Sequence, residues 1–395
     1  NYSKGEKMEI IYQKREKLRN ENRTFRFLVE VREFSKLEIS QYLNISIPTV
    51  TKILERFLTN KLIYETGTNN GKLGRKAIKY QFNPDAYFSI GIKVEMNHIS
   101  MVLINLDGKI LKQTVVKEEF INSENFVFLV INELKKFLWE FDKKEFIKGI
   151  GIVLPGIVNP ENNMIKLGGN FSLLNQDMKE IEEEFGLPIF LENEANAGAI
   201  GEYIVNHSGL QTKKNILFVS IDTGIGSGII VENQLYRGKG NKSGEIGHIP
   251  IIPNGDKCAC GSEGCLEQYC SNLALMKEFE KEFQCEIKEY EDIFQEKFIG
   301  NEKGKKILER YTWILALGIK TALMMLNSDK IIIGGKISDY KEYFEPMLKE
   351  IIFSNNIFSN DADILEFSSL SDNANLLGAA FIPLGEFYKT YNEDV

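Results

Sequence analysis

The sequence predicts an α/β protein in which a winged helix-turn-helix head precedes a two-lobed body. Charge divides the chain: residues 1–84 hold 17 Lys and Arg against 9 Asp and Glu, a net of +8, and the remaining residues hold 31 against 47, a net of −16. Helical spacing marks the head, two strand-rich units follow it, and 395 residues exceed one ordinary core. We expect a head over 1–84, a first lobe over 85–200, a second lobe over 201–374, and a C-terminal helix over about 375–391 that packs back on the first lobe.

Composition predicts a soluble protein rather than a membrane or secreted one. Hydrophobic residues make up 43% of the chain and charged residues 26%, which are ordinary values for a globular protein. No apolar stretch reaches the roughly 18 residues of a membrane span, since Lys320 interrupts the best candidate, Leu315–Leu326. Five cysteines are few for a disulfide scaffold, and the N-terminus lacks the apolar core of a signal peptide. We expect a cytoplasmic protein with reduced cysteines.

The head carries the spacing of a helix-turn-helix. An amphipathic helix is predicted over Arg23–Phe34, and Ser35-Lys36-Leu37-Glu38 is a capping box that opens a second helix. Asn44 can take a left-handed turn, and Ser46-Ile47-Pro48 begins a third helix with proline in its first turn. The second helix of such a pair lies in the major groove of DNA and presents its N-terminal residues to base edges. The candidate DNA contacts are Ser46, Pro48, Thr49, Thr51 and Lys52, with Arg56 near phosphate.

A glycine-rich, basic loop follows these helices and is typical of a wing. It joins two predicted strands, Leu62–Glu65 and Ala77–Phe82. Lys72, Arg75 and Lys76 are candidate DNA contacts, because a wing can place an arginine in a narrow minor groove of negative potential. The alternative is a small helical module that binds a protein and carries a solvated charged loop. The basic head favours double-stranded operator DNA, and because two-fold proteins read palindromic sites we expect a homodimer or higher homo-oligomer.

Three cysteines and one of only three histidines lie close together late in the chain. His248, Cys258, Cys260 and Cys265 form a Cys₃His donor set, which suits tetrahedral Zn²⁺ and fills its four positions with protein atoms. Glycines between the cysteines allow a tight loop to bring the sulfur atoms to one point. The alternative is three unrelated buried cysteines. We predict a structural Zn²⁺ that fixes a loop and catalyses nothing itself.

The cysteine run and the preceding Gly244-Glu245-Ile246-Gly247-His248 resemble the signature of the ROK family, which comprises repressors, open reading frames and sugar kinases. The resemblance extends from about Ser35 to the C-terminus through several separate motifs. It implies an actin-like (ribonuclease H-like) sugar-kinase fold with a ligand cleft between two lobes. Repressor members carry a DNA-binding head that most kinase members lack. The resemblance therefore implies the repressor branch, of the xylose or N-acetylglucosamine type.

The same resemblance implies a site in the cleft for a monosaccharide or small oligosaccharide. The corresponding residues in this sequence are Gly156, Asn170, Asn193, Glu194, Glu245, His248 and Glu267. Amide and carboxylate side chains supply the paired donors and acceptors that vicinal hydroxyls need. His248 can give one ring nitrogen to the metal and aim the other at a hydroxyl. The alternative is that these residues only cap loops, and Glu267 in particular can open a helix over Gln268–Phe283.

Two departures from the kinase members predict that ATP use is lost. The second half of the body has a glycine-rich turn, Asp222–Gly228, whereas the corresponding turn of the first half, Lys93–Asn97, has no glycine. Kinase members resemble one another in an Asp-x-Gly-Gly-Thr turn there, and Glu95 would repel polyphosphate. Glu194 stands where those members have a catalytic Asp, which is one methylene shorter. We expect no catalytic residue and a sugar-responsive repressor of carbohydrate-utilisation genes. The alternatives are an ATP-dependent sugar kinase with an accessory DNA-binding head and a regulator whose body binds another protein.

Overall fold

The structure is a computed structural model that describes residues 4–68, 78–117, 121–168, 173–207, 214–354, 361–371 and 373–390. The α-helices in these ranges are α1 (Lys4–Val31), α2 (Lys36–Leu43), α3 (Ile47–Thr59), α4 (Phe126–Phe137), α5 (Lys179–Phe185), α6 (Glu194–Glu202), α7 (Glu267–Cys270), α8 (Asn272–Phe283), α9 (Glu296–Ile299), α10 (Glu302–Leu326), α11 (Glu345–Phe353) and α12 (Asn373–Thr390). Among these described helices, none combines the length and the apolar character that a membrane crossing requires.

The strands form four sheets over the same ranges. Their bounds are β1 (Glu33–Ser35), β2 (Ile63–Thr68), β3 (Ile78–Phe82), β4 (Phe88–Glu95), β5 (His98–Asn105), β6 (Ile110–Lys117), β7 (Ile147–Leu154), β8 (Gly156–Asn159), β9 (Met164–Gly168), β10 (Leu174–Asp177), β11 (Ile189–Asn193), β12 (Ile216–Ile221), β13 (Ile225–Val231), β14 (Gln234–Leu235), β15 (Lys330–Gly334) and β16 (Leu365–Phe367). The two smaller sheets have the orders β1-β3-β2 in the head and β10-β9-β8 beside the first lobe.

The head is a winged helix-turn-helix built from α1 to α3 and the small sheet β1-β3-β2. Both hydrogen bonds of the predicted capping box are present between Ser35 and Glu38, and Asn44 ends α2 with a left-handed φ of 53°. The predicted end of the first helix is wrong. Arg32 has a φ of 64°, which stops the helix, and Phe34 lies in β1 opposite Tyr80 of β3. The edge strand of the wing sheet replaces the last turn of that helix.

Two five-stranded sheets form the body, and they share one strand order. The first is β11-β7-β4-β5-β6 and the second is β14-β13-β12-β15-β16. In each sheet an antiparallel hairpin, β4–β5 or β12–β13, has two further strands added in parallel beside its first strand. This internal repeat confirms the predicted two-lobed, ribonuclease H-like fold. It places the two hairpin turns, and the ends of β7 and β15, toward the region between the lobes.

The helices α6 and α12 cross over between the lobes. α12 packs on the first sheet so closely that a Cβ at Gly151 of β7 would lie 1.9 Å from the Ala379 carbonyl oxygen. α6 follows the first sheet in sequence but packs on the second, where a Cβ at Gly228 of β13 would lie 2.5 Å from the Ala195 carbonyl oxygen. The two helices also pack against each other. The predicted domain limits remain predictions. α6 begins within the predicted first lobe, 85–200, but it packs on the second sheet.

The C-terminal helix also joins the body to the head. Phe381 of α12 is buried in one apolar cluster with Phe25 of α1, and the rings of Phe25 and Tyr388 lie with their centroids 4.3 Å apart. Arg32, just beyond α1, forms an ion pair with Asp107 in the turn between β5 and β6. The head is therefore packed on the first lobe, so that a displacement of α12 would also displace α1.

Gly151→Ala is expected to destabilise the protein by about 1–3 kcal/mol, the usual effect of extra atoms in a packed core. The added methyl group would meet a backbone carbonyl of α12, which cannot yield without moving the helix away from the sheet. Urea unfolding followed by circular dichroism measures the free energy of unfolding. Gly385→Ala is the matched control, because nothing lies within 4 Å of its Cβ position on the same helix. Equal effects of the two substitutions would contradict this packing.

The helix predicted over Gln268–Phe283 is wrong as a single element, because it is divided into α7 and α8. Ser271 between them has extended backbone angles, φ −76° and ψ 159°, which a helix cannot pass through. Its side chain accepts a hydrogen bond of 3.1 Å from the Ala274 amide and caps α8. The interruption leaves Glu267 as the first residue of a separate short helix beside the cysteine loop.

Candidate metal centre and ligand cleft

The four predicted metal ligands come together at one point. One ligand atom each from His248, Cys258, Cys260 and Cys265 lies within 4.8 Å of the other three. Nδ1 of His248 is 3.5 Å from Sγ of Cys258, and the sulfur atoms of Cys260 and Cys265 are 3.6 Å apart. A tetrahedral zinc with bonds of about 2.3 Å to sulfur separates two thiolates by roughly 3.8 Å, so these spacings fit such an ion. This cluster can hold a metal ion.

The backbone of the loop is shaped for the cluster. The amide of Cys258 donates to the Ser262 carbonyl at 2.8 Å, and the amide of Gly261 donates back to the Cys258 carbonyl at 3.0 Å. Gly264 has a φ of 72°, and a Cβ there would lie 1.8 Å from the Ile252 carbonyl oxygen, so that no side chain fits. These tight turns bring the buried Cys265 and the exposed Cys260 side by side.

Glu245 lies beside the histidine of the metal cluster. Its Oε2 is 4.0 Å from Nε2 of His248, the ring nitrogen that points away from the cysteines. Burial, with a contribution from the negative charge of Glu267, raises the pKa of Glu245, against the lowering effect of His248 and Lys242. Two carboxylates and an imidazole therefore share one small region. Such a group can accept and donate hydrogen bonds to a polyhydroxyl ligand.

Glu267 has a structural contact as well as a place at this site. One of its oxygens, Oε2, accepts a hydrogen bond of 2.8 Å from the Ile225 amide at the start of β13. A Cβ at Gly224 would lie only 2.6 Å from that oxygen, which explains the glycine in this turn. Glu267 thus connects the metal loop to the hairpin turn of the second sheet. In this contact it caps a loop, as the alternative to sugar binding proposed.

Asn193 caps the helix α6 and holds the backbone of Gly156. Its Oδ1 accepts hydrogen bonds from the amides of Ala195 at 2.9 Å and Asn196 at 3.3 Å, and its Nδ2 donates to the Gly156 carbonyl at 3.0 Å. Both Asn193 and Gly156 therefore lie at the mouth of the first sheet, where β7 and β11 end. A contact of either with a sugar stays a prediction, and Asn170 lies outside the described residues.

Glu194 is buried in a polar network instead of lining an open surface. The residue is 8% exposed, its Oε1 lies 3.1 Å from Nζ of Lys93, and the same oxygen accepts a hydrogen bond of 2.7 Å from Nδ2 of Asn375 in α12. Its carboxylate already has a cation and an amide as partners. The predicted role of Glu194 in sugar binding remains a prediction, and the network explains why a charged side chain is tolerated there.

An ion pair that sequence reasoning missed connects the two lobes next to Asn193. Glu192 of β11 is 1% exposed, and its Oε2 accepts hydrogen bonds of 2.8 Å from both Nε and one terminal nitrogen of Arg237, which follows β14. Its Oε1 accepts from Asn196 at 3.0 Å. A fully hydrogen-bonded buried carboxylate of this kind orients its neighbours. The sign in the sequence was a charge at the end of an otherwise apolar strand.

The N-terminal part of α3 is accessible on the head. Ser46, Pro48 and Lys52 are exposed, and Thr49 and Thr51 are partly exposed. Arg56, which was predicted to lie near phosphate, forms an ion pair with Glu21 of α1, which is 2% exposed; a contact of Arg56 with DNA stays a prediction. That guanidinium holds two helices of the head together. The three wing residues predicted to contact DNA, Lys72, Arg75 and Lys76, lie outside the described residues.

The fold and the cluster define an actin-like body joined to a winged-helix head. A model of the ROK family matches residues 89–385, about three quarters of the chain. The protein belongs to the ROK family. This agrees with the resemblance of its cysteine loop and the motifs that surround it.

Similar proteins include regulators and kinases. The xylose repressor of Bacillus subtilis is 30% identical over 359 residues, which cover 89% of this chain and 91% of that protein. A solved ROK family transcriptional regulator, described as a homologue of the Escherichia coli Mlc protein, has a TM-score of 0.78 and 25% identity over 94% of this chain and 97% of that one. A ROK glucokinase from Streptomyces griseus has a TM-score of 0.65 and 23% identity over 75% of this chain and 98% of that one. The kinase therefore leaves a quarter of this chain unmatched.

Proposed function

We propose that this protein is a sugar-responsive, DNA-binding transcriptional repressor of carbohydrate-utilisation genes. The observation that carries the proposal is the packing of a winged helix-turn-helix on α12, a helix whose Asn375 also reaches Glu194 and Ser220 between the lobes. A regulator needs such a connection between its ligand cleft and its DNA-binding surface. The repressor names among the relatives agree with the prediction from the sequence, and the kinase resembles only the body.

We propose further that the metal ion is Zn²⁺ and that the effector is a monosaccharide or small oligosaccharide. Three sulfur donors and one imidazole are a set that zinc prefers and that leaves it no open position. When bound, such an ion would make the loop rigid. His248 would hold it with Nδ1, the nitrogen beside Cys258, and would leave Nε2 to face a hydroxyl beside Glu245 and Glu267.

Operator binding follows from the same proposal. Two heads related by a two-fold axis would read a palindromic site, which makes a homodimer the natural assembly. Each head would place the exposed start of α3 in the major groove, with Ser46, Pro48 and Lys52 nearest to the DNA. The contribution of the basic wing rests on the sequence.

Lys52→Ala is expected to weaken operator binding and to reduce the slope of log affinity against log salt concentration by about 1, the effect of losing one phosphate contact. Fluorescence anisotropy with a duplex selected by the parent protein, at two salt concentrations, measures both quantities. Lys306→Ala is the matched control, because Lys306 is an exposed lysine on α10 of the second lobe. Parent-like binding by Lys52→Ala at both salt concentrations would rule out the docking of α3.

A further inference from the structure

The buried amine of Lys93 lies among three carboxylates. Lys93 is 3% exposed, and its Nζ is 3.1 Å from Glu194, 3.4 Å from Glu95 and 3.8 Å from Asp222, measured to one oxygen of each. Three negative charges around one positive charge would repel one another strongly without it. The geometry is therefore that of anionic oxygens arranged around a central cation.

The three carboxylates come from different parts of the fold. Glu95 ends β4 in the first sheet, and Asp222 follows β12 in the second. Glu194 begins α6, the helix that packs on the second sheet through Ala195. Lys93 itself lies on β4. Its ammonium group consequently connects the first sheet with two elements of the other lobe.

The surroundings keep Glu95 charged and hold Glu194 in position. Nε2 of His98 lies 2.6 Å from Glu95. Burial by itself would raise the pKa of Glu95, but the hydrogen bond from His98 and the charge of Lys93 lower it to about 2. On the other side, Asn375 of α12 donates to Glu194 at 2.7 Å. An ionised carboxylate that is also hydrogen-bonded is a strong partner for a buried cation.

We propose that the Lys93 ammonium is a built-in counter-ion that ties the two lobes together across the cleft and takes the place that a divalent cation would hold among Glu95, Glu194 and Asp222. Carboxylate oxygens are the ligands that Mg²⁺ and Ca²⁺ prefer. A lysine that fills this place makes the arrangement of the lobes independent of any bound metal or nucleotide at this end of the cleft. The inference does not depend on the proposed function, and it is tested without DNA or sugar.

The first experiment asks whether the carboxylates recruit a cation when the amine is removed. Lys93→Ala is expected to lower the melting temperature, and about 10 mM CaCl₂ or MgCl₂ is expected to recover at least half of that loss by binding the folded state. The parent and Lys112→Ala should shift by less than about 1 °C, a change that corresponds to well under 1 kcal/mol. Lys112 is the matched control because it lies in the same sheet and its Nζ donates to a backbone carbonyl, that of Phe137. Both ions prefer oxygen, so the cysteine loop does not compete for them.

No recovery by either ion would overturn the claim that Lys93 fills a cation position. A Lys93→Ala protein that accumulates only in inclusion bodies is refolded from urea with and without CaCl₂, and the yield of soluble protein then replaces the melting temperature. A calcium-dependent yield supports the proposal, and equal yields overturn it.

The second experiment tests the counter-ion role through charge balance. Lys93→Met keeps the aliphatic stem but leaves Glu194 uncompensated, so the double variant Lys93→Met/Glu194→Gln should melt at a higher temperature than Lys93→Met alone. If Lys93 had only a steric role, neutralising Glu194 would not restore stability, since Gln has nearly the same shape as Glu. If the double variant is as unstable as Lys93→Met or more so, the ionic tie is wrong.

Discussion

Cys265→Ser is expected to abolish metal binding and to lower the melting temperature by on the order of 10 °C. A structural metal contributes several kcal/mol to the free energy of unfolding, and each kcal/mol shifts the melting temperature by about 2–4 °C in a domain of this size. Cys265 is fully buried and its backbone bridges to Pro250, so the loop cannot relax around the missing sulfur. Elemental analysis of the purified protein measures the metal, and differential scanning fluorimetry measures the melting temperature.

The consequences of that substitution should reach the ligand cleft. Glu267 lies two residues beyond Cys265 and holds the Ile225 amide, and His248 lies next to Glu245. Loss of the metal is therefore expected to reduce sugar affinity as well as stability. Cys285→Ser is the matched control, since Cys285 is exposed and lies outside the cluster. A parent protein that purifies without metal and binds none when titrated with Zn²⁺ would refute the zinc proposal.

The parts of the fold that depend on neighbouring residues were predictable from sequence. The capping box at Ser35 and the left-handed Asn44 are local hydrogen-bonding choices, and both are as predicted. The metal cluster was also predictable, since three of its ligands lie within eight positions and the chemistry of four such donors is specific.

Contacts between distant residues were not predictable from sequence. Asn375 bonds to Glu194 across 181 positions, and Arg237 bonds to Glu192 across 45. Hydrophobic periodicity does not predict which buried charged side chains pair with each other. The pairing is decided by the crossing of α6 and α12 between the lobes. A charge within an apolar strand, such as Lys93 in β4, predicts that a partner exists without naming it.

The structure also changes how the sugar site should be probed. Asn193 caps α6 with its Oδ1 and His248 belongs to the metal cluster, so substitution of either disturbs the fold together with any ligand contact. Glu245 is a better probe because it is nearly half exposed in its side chain, at 48%, and lies beside both His248 and Glu267. A neutral isostere there changes hydrogen bonding without opening a cavity.

Coupling between sugar and operator should run through α12. A sugar held by both lobes can favour one arrangement of the lobes only through its different affinity for the two arrangements. α12 packs on the first sheet at Gly151, bonds to Glu194 through Asn375, and contacts Phe25 of the head. A change between the lobes would thereby be passed to the helices that present α3. The coupling must be reciprocal, so that bound operator weakens sugar binding by the same factor.

The best-binding sugar is expected to weaken operator binding of the parent protein by about 5- to 150-fold, the usual range for a coupling of 1–3 kcal/mol. Glu245→Gln should bind operator as the parent does but lose this response, because its site no longer binds the sugar tightly. Operator affinity with and without sugar, measured by anisotropy at one fixed salt concentration, gives the coupling directly.

Glu263→Gln serves as the matched control, since Glu263 is an exposed carboxylate on the same metal loop and should leave the response intact. Equal operator affinities of the parent with and without sugar would rule out sugar-controlled release. Tighter operator binding in the presence of sugar would reverse the sign and make the sugar a corepressor, while the path through α12 would stand. A Glu245→Gln protein that responds like the parent would instead move the sugar site away from the metal loop, because a ligand bound against His248 and Glu267 cannot avoid the carboxylate between them.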